Sequence, residues 1–594
     1  MPSRREFMGA LAGASVAGLI AACTSPTPGT PNAAATARPS GTSAPATSAT
    51  SATSATSAPA AAAAGATTTP AKNSALPSYI PYTNGPKPDY HSADSRVSDG
   101  FDNYPKPFKS WTKDPPGAGS NVNVYAIAYY PPPTPYDQNP TWHEVNKQLN
   151  ANVQMNIFAG ADNVTKFPTL MAGNDLPDIM HIFLGITNAP PGVTEFIKAQ
   201  CQDLTPYLSG DAIKDYPNLA AIPTYAWQNS LSVIDGKLYQ WPIHRYLPGA
   251  APNGGYFFKN DEVYDQAIGK DYVPKDGDDL KRIFKELNRP QSGVWAIGNV
   301  ASINYGLPGY LQMFGAPLVW DLDSSGKLTR SYETEAYKAA VGYLRDIWAA
   351  GYIWADAPGN TDSRSNLVAG KFIMSVEGFG NSWNDFWRRG LTLVNPAKHF
   401  KPLDPFRATA GDKPVSYLTP GGYSSSNVMK KASPDRVREL LRILDWLAVP
   451  FGSQEDLLLH YGIEGQDFNF DSGGNPQPTP TGLQTAGYVP WQYLSQRPYV
   501  QYQPDLPDYA KISFDVEQKL VNVGILDPTL QYYSKTQYSS QGIQAQKTFT
   551  DAINDIVLGR RDLSDFDGLV STWRSSAGDQ IRKEYLDAIS ASKG

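Results

Sequence analysis

Residues able to do acid–base, metal or nucleophilic chemistry are spread thinly through this 594-residue chain. The six histidines, His91, His143, His181, His244, His399 and His460, form no close pair of the kind that ligates a metal. HExxH, CxxC, the G-x-S-x-G elbow, GxxxxGK[ST] and a helix-opening GxGxxG are all missing. Two acidic turns, DLDSSGK from Asp321 and DFNFDSGGN from Asp467, read as hairpin turns. Neither combines a Gly at the sixth loop position with a Glu at the twelfth, so no calcium, other metal or cofactor is expected. A glycosidase needs only two carboxylates a few ångströms apart, which spacing does not reveal, so that chemistry stays open. What is abundant is aromatic surface. Tyr (34) and Trp (13) help bring the aromatics to 12%, and each offers a flat apolar face with a polar edge, which suits carbohydrate. Lys plus Arg (50) against Asp plus Glu (56) leaves a net charge of −6, which argues against nucleic acid as a partner.

The chain start carries an address. Arg4 and Arg5 precede an apolar stretch from Phe7 to Ala22, the charged region and apolar core of a signal peptide over residues 1–22. SRREF resembles a twin-arginine export signal, and IAAC resembles the lipobox that ends at a diacylated cysteine, here Cys23. Localisation at the extracytoplasmic face of the cell membrane, held by lipid, follows as the expectation. With Cys23 acylated, Cys201 has no partner for a disulfide and reads as a small buried apolar residue. From Thr24 to Ala71 every residue except Asn32 and Arg38 is Ala, Ser, Thr, Pro or Gly, a composition that cannot bury a core. Residues 23–75 therefore read as a lipidated cysteine and a disordered tether, with a reach of roughly 35–42 Å as a flexible coil.

Elements that would position a site begin further on. Leu76 to Pro116 reads as irregular structure wrapped on the surface. NVNVYAIAYY alternates as a strand, TWHEVNKQLNAN carries Trp142, Val145 and Leu149 at helical spacing with Thr141 as cap, and VQMNIFAG is a second strand. DIMHIF is a third. This is the opening of an α/β layer whose ligands bind beyond the C-terminal strand ends. ETEAYKAAVGYLRDIWAAG puts Tyr337, Ala340, Val341, Leu344, Ile347 and Trp348 on one face. SPDRVRELLRILDWLAV has Ser433 as cap, Pro434 at the first helical position and Val437, Leu440, Leu441, Leu444 and Ala448 facing a core. Apart from the tether there is no internal repeat, which excludes a solenoid. At 594 residues the chain exceeds a single core, so two lobes are expected.

AGNDLPDIM, VIDGKLYQWP, YFFKNDEVYDQAIG, VAGKFIMSVEG, GGYSSSNVMKKASPDRVRELLRILDWLA and HYGIEGQDF, in that order, resemble the extracellular solute-binding proteins of ABC transporters, family 1, and within them the LplA-like large lipoprotein subgroup. The resemblance runs from about Asn121 to Ala588. It implies a periplasmic-binding-protein type II-like α/β fold with two lobes, a multi-strand hinge and a ligand cleft between them. The lobes are expected at 76–250 with 415–465, and at 251–414 with 466–594. Many members of the subgroup carry a calcium loop after the segment corresponding to YVPKDGDDLKRIFKEL, whereas LNRPQSGVWAIG follows here without the acidic ligands.

On that frame the expected ligand contacts lie at strand ends: Tyr129 and Tyr130, Asp162 and Asn163, then Trp241, His244 and Arg245 before the YFFKND crossing. In the partner lobe they are Glu377 and Trp383, where the family often presents an aromatic to the sugar, and Tyr423 after a Gly pair. The resemblance implies a non-enzymatic, monomeric binding lipoprotein that hands a mono- or oligosaccharide to ABC permease subunits. The alternative is an exported carbohydrate-active enzyme, a lyase or glycoside hydrolase, anchored at the cell surface.

Overall fold

The computed structural model describes residues 75–592 apart from 107, 129–130, 184–189, 248–254, 299–305, 360–362, 379–399, 419–420 and 505–507, all within the unit Thr69–Gly594. The first sheet starts with β1 (Asn121–Ala128), whose alternation sorts its side chains: Val122, Val124 and Ala126 enter one core, Tyr125 and Ile127 the other. Helix α1 (Pro140–Leu149) carries the chain to β2 (Asn152–Ala159), which pairs with β1 in parallel from Asn121↔Asn152 to Ala128↔Ala159. Pro140 occupies the first helical turn, so the cap falls on Asn139, whose side chain accepts from the Trp142 N–H at 2.9 Å. Thr141, the cap expected from sequence, lies inside the helix and donates its hydroxyl to Asp467. Strand β3 (Ile179–Ile182) adds in parallel on the other side of β1.

β4 (Gln240–His244) ends the first run, and the chain enters a second sheet as β5 (Tyr256–Asn260). There follow α2 (Gly277–Leu287), β6 (Trp295–Ile297), α3 (Leu307–Phe314), α4 (Glu335–Ala349), β7 (Phe372–Glu377) and β8 (Phe400–Pro402). The sheet order is β8-β5-β7-β6, with β7 antiparallel to β5 and parallel to β6. In α4 the expected face is buried except Trp348, which is half-buried, and Tyr343 joins it. The chain returns as β9 (Tyr423–Met429), antiparallel to both β3 and β4, giving β2-β1-β3-β9-β4. Helix α5 (Pro434–Leu447) is capped by Ser433 and buries Val437, Leu440, Leu441 and Leu444 as its spacing predicts. Both acidic turns are hairpins, Trp320–Leu322 with Leu328–Arg330 and Phe468–Phe470 with Pro476–Pro478.

The return to β9 needs its glycines. Gly421 and Gly422 have φ of +92° and +90°, and a Cβ on them would lie 2.4 Å from Asn229 and 2.2 Å from the Tyr225 ring. Asn229 donates to the Gly421 carbonyl (2.8 Å) and the Arg245 N–H to that of Gly422 (3.0 Å), tying two inter-sheet connections together.

Two segments differ from the sequence reading. The N-terminal stretch is a strap set into the structure: Phe101 and Tyr104 are buried with Phe451 and Tyr502, and Asp99–Gly100 pairs with Val500–Gln501. Residues 466–497, grouped by sequence with the second lobe, pack on the first sheet's core, where Val489, Trp491 and Leu494 join Trp142 and Trp241. A 3.6- or 2-residue period is weak in this turn-rich stretch, so nothing local announced its partner. Helices α6 (Tyr509–Asn522) and α7 (Ser540–Val557) then contribute Leu520, Phe549, Ile553 and Ile556 to the second core. Among the described residues no helix is long and apolar enough to cross a membrane.

Candidate functional site

Because β9 runs antiparallel to both β3 and β4, the start of β9 and the ends of β3 and β4 fall on one edge of the first sheet. Opposite residues of an antiparallel pair share a face, so Asn427 stands with His181 and with Trp241, and Ser425 with Ile243. Arg245 follows two residues beyond Ile243. The segment Trp491–Gln496 covers this face: Trp241 Nε1 donates to the Leu494 carbonyl (2.7 Å), and Asn427 Nδ2 to the carbonyls of Tyr493 (2.9 Å) and Leu494 (3.2 Å).

Around this edge several buried polar atoms have no partner: His181 Nε2, Arg245 Nε, Ser425 Oγ, Asn427 Oδ1 and Ser495 Oγ. Such groups are uncommon in folded proteins, and each costs about 1–3 kcal/mol if left unsatisfied. His181 stacks on Tyr493, with ring centres 5.2 Å apart and planes at 18°, and its Nδ1 accepts from the Ile127 N–H at 3.3 Å. Its proton therefore sits on Nε2. Burial, and then the charge of Arg245, lower its pKa to about 3, so the ring is a neutral donor at physiological pH. Arg245 donates from Nη1 to the His244 carbonyl (3.2 Å) and to Gln496 Oε1, and forms no ion pair with a described carboxylate. The site thus mixes neutral and cationic donors with hydroxyl and amide acceptors. That set matches hydroxyl groups, each of which donates and accepts. Among the described residues no group of three or more His, Cys, Asp or Glu is placed to hold a metal ion.

The expected contacts separate into classes. Arg245 is in this cluster. Tyr423 opens β9 opposite His244 and is buried, with burial raising its pKa. Glu377 closes β7 on the second sheet, fully buried, and accepts from Ser375 Oγ at 3.2 Å, while its backbone carbonyl accepts from the Gly255 N–H at 3.0 Å. His244 is a joint: Nδ1 accepts from the Tyr499 N–H (2.8 Å) and Nε2 meets the Tyr225 hydroxyl (2.9 Å), which uses both nitrogens. Trp241, expected at the ligand, is fully enclosed in the first core, with its Nε1 already donated to the Leu494 carbonyl. Asp162 is exposed in the turn after β2, and Asn163 is buried, accepting from the Tyr125 hydroxyl at 3.0 Å. Tyr129, Tyr130, Trp383 and Cys23 lie outside the described residues. Sequence reasoning missed His181, Asn427, Tyr493 and Gln496. Its available signal was YSSSN, a polar run inside a buried strand.

No family model matches the chain. It is similar to the polygalacturonan/rhamnogalacturonan-binding protein YtcQ of Bacillus subtilis (strain 168), 26% identical over 500 residues that span 80% of this chain and 93% of that protein. Lipoprotein LipO of the same organism is 21% identical over 78% of this chain and 91% of its own length. The fold matches the N-glycan transport solute binding protein NgtS from Streptococcus pneumoniae, with a TM-score of 0.57 at 15% identity over 80% of this chain and 99% of that one. The fold also matches an extracellular solute-binding protein from Bifidobacterium longum subsp. infantis, with a TM-score of 0.56 at 11% identity over 82% of this chain and all of that one. The fold is of the periplasmic-binding-protein type II kind, and the candidate site lies at strand ends of its open α/β sheets. The described parts of β1, β3 and β7 stop close to segments outside the described residues, at 129, 184 and 379. Cys201 is buried, and burial raises its thiol pKa to about 12, which leaves it protonated and inert.

Proposed function

We propose that this solute-binding protein takes a saccharide between the strand ends of its two sheets and delivers it to the membrane subunits of an ABC importer. The observation that carries the reading is the unpartnered set His181 Nε2, Arg245 Nε, Ser425 Oγ and Asn427 Oδ1 at the edge of the first sheet. A hydroxyl-rich ligand entering as the lobes part completes these valences, and closure then removes it from water. Arg245, Tyr423 and Glu377 are the contacts retained from the sequence reading, with His181 and Asn427 added. YtcQ is named for binding polygalacturonan and rhamnogalacturonan, and Arg245, with no described carboxylate beside it, suits a uronic acid within such a chain. The protein acts without catalysis at the outer face of the membrane, as a monomer anchored through a diacylated Cys23, with the tether letting it reach its permease.

Thermal shift and calorimetry with oligogalacturonides, rhamnogalacturonan fragments and neutral oligosaccharides test this directly. A ligand at 100 times its Kd adds about 2.7 kcal/mol of stability, and the sugar should be recovered intact by chromatography. Cleaved products would assign the protein to the enzymes instead, and no stabilisation by any saccharide would remove carbohydrate from the reading. Mass spectrometry of the native N-terminus should find acyl mass at Cys23.

A further inference from the structure

A cavity of about 180 Å³ lies between the Gly315–Asp321 turn, Arg407 and the paired segments Ser416–Tyr417 and Gly524–Ile525. It shares no residue with the strand-end site. Its volume falls below the roughly 300–1,000 Å³ of drug-sized ligands, on the scale of a single ring. Leu318 and Val319 supply apolar wall. Ile525 and Leu526 stand at its rim 42% and 41% exposed, among the few large apolar side chains of the described residues left so open.

The polar lining is unfinished. Asp527 Oδ1 accepts from the Thr529 N–H (2.8 Å) and hydroxyl (2.7 Å), but Oδ2 is shut off from solvent without a partner, and so is Trp320 Nε1. Burial raises the Asp527 pKa to about 6, and the Thr529 hydrogen bonds, the Arg330 charge and the Trp320 backbone N–H offset only part of that rise. Burial and then Asp323 raise that of Asp321. Arg407 brings the opposite charge, donating from Nη1 to the Lys413 carbonyl (2.9 Å) and lying 3.7 Å from Asp412.

These groups select a ligand by elimination. An anion would meet Asp321 and Asp527, a cation would meet Arg407, and a wholly apolar group would leave Asp527 and Trp320 unsatisfied. A neutral ring with C–H faces and hydroxyl edges fits, since each hydroxyl serves a donor and an acceptor. We propose that this cavity is a second saccharide site, taking one neutral pyranose apart from the strand-end site. The proposal rests on the carbohydrate reading above, and it places a ligand against an inter-sheet connection, because Ser416 Oγ meets the Tyr256 hydroxyl (2.9 Å) where β5 begins.

The test is methyl NMR of the full chain with labelled isoleucine, following Ile525 during titration with D-glucose, D-galactose and L-rhamnose, with methylammonium and acetate as charged controls. At least one pyranose should shift Ile525 saturably, Asp321→Ala should weaken that response at least tenfold, and Arg245→Met should leave its midpoint within twofold. Leu526→Glu, at the exposed rim, should weaken it as well without unfolding the chain. No saturable shift with any of the three sugars overturns the proposal, as does a shift that survives both rim variants or a response stronger to methylammonium or acetate. A shift lost in Arg245→Met also overturns it, since that traces the signal to the strand-end site. If Ile525 responds while no saccharide binding depends on Arg245, the second site stands and the strand-end reading falls.

Discussion

His181 and His244 are two enclosed imidazoles at the same edge of one sheet, and burial lowers both to a pKa of about 3. They differ in what surrounds the ring. His244 has a partner on each nitrogen, from Tyr225 and Tyr499, and so joins segments that cross between the sheets. His181 has a partner on Nδ1 alone. The arginines repeat the contrast: Arg497 Nε donates to Asp456 at 2.7 Å, whereas Arg245 has no described carboxylate and a free Nε. Burial and a shifted pKa therefore do not mark the site. Unfilled hydrogen-bonding capacity is what separates His181 and Arg245 from His244 and Arg497, and it is a cost that a ligand would recover.

The sharpest way to break this contrast is to exchange the consequences of losing each arginine's environment. Asp456 also accepts from the Tyr104 hydroxyl (2.8 Å) and lies 3.2 Å from His460, so Asp456→Ala leaves a buried guanidinium uncompensated. It should cost about 3–5 kcal/mol in chemical denaturation and leave the saccharide Kd of the folded fraction unchanged. Arg245→Met should do the reverse, moving stability by under about 1 kcal/mol and weakening binding about 10- to 150-fold, as loss of a charged hydrogen bond does. Equal stability losses in the two variants would erase the distinction.

A third enclosed group shows a filled site that still titrates. Glu517 accepts from Ser98 Oγ (3.1 Å) and Gln501 Nε2 (3.0 Å) beside the strap, and burial raises its pKa from 4.5 to about 7. Asp445 shifts the same way, to about 7, also through burial. Between about pH 4.5 and 7 the folded chain holds these protons and the unfolded chain does not. Stability therefore falls as pH rises through that window and levels off above it. Glu517→Gln should remove its share, gaining about 1–3 kcal/mol at pH 8 and nearly nothing at pH 4.5 in denaturation followed across pH. A variant no more stable at pH 8 than the parent would show that the fold does not penalise the ionised Glu517 carboxylate and that its pKa is not raised.

Much of the frame was legible because it follows short periods. The strand–helix–strand of β1, α1 and β2 and the Ser433–Pro434 start of α5 depend on residues within one turn of each other. For Trp241, every residue of QWPIH is buried, so alternation does not say which face of that strand meets a ligand. His181 read as one of six scattered histidines, and its meaning comes from Arg245 and Tyr493, distant in sequence and brought near by sheet order and by the covering segment. Residues 466–497 have hairpins and turns but little period, so their place on the first sheet came from tertiary contacts alone.

The two histidines allow a gentler test. His244→Phe removes the acceptor of the Tyr499 N–H and should cost about 1–3 kcal/mol of stability. His181→Phe keeps the stacking surface on Tyr493 but removes the Nε2 donor and the acceptor of the longer 3.3 Å bond from the Ile127 N–H, so it should cost less stability than His244→Phe, about 1 kcal/mol, while saccharide affinity drops about tenfold. Calorimetry and thermal denaturation on the same preparations separate the outcomes, and a destabilised His181→Phe with normal affinity would make His181 a structural residue like His244.

The smallest effect should come from the serines. Ser425 is 1% exposed and its hydroxyl has no partner, so in the free protein it gives up hydration without return. Alanine at that position has nearly the same volume and no polar atom to bury. Ser425→Ala should therefore be neutral or stabilising by up to about 1 kcal/mol, against the usual cost of truncating a buried polar side chain, which arises when a partner is stranded. In the complex the hydroxyl would bond the ligand, so the same variant should weaken saccharide binding about two- to fivefold, near the low end of a neutral hydrogen bond. The opposite signs are the test, because a residue that serves packing alone cannot gain stability and lose affinity in one substitution. A destabilised Ser425→Ala, or one with unchanged Kd, would mean that the hydroxyl finds its partner within the protein and that the ligand lies elsewhere along the strand ends.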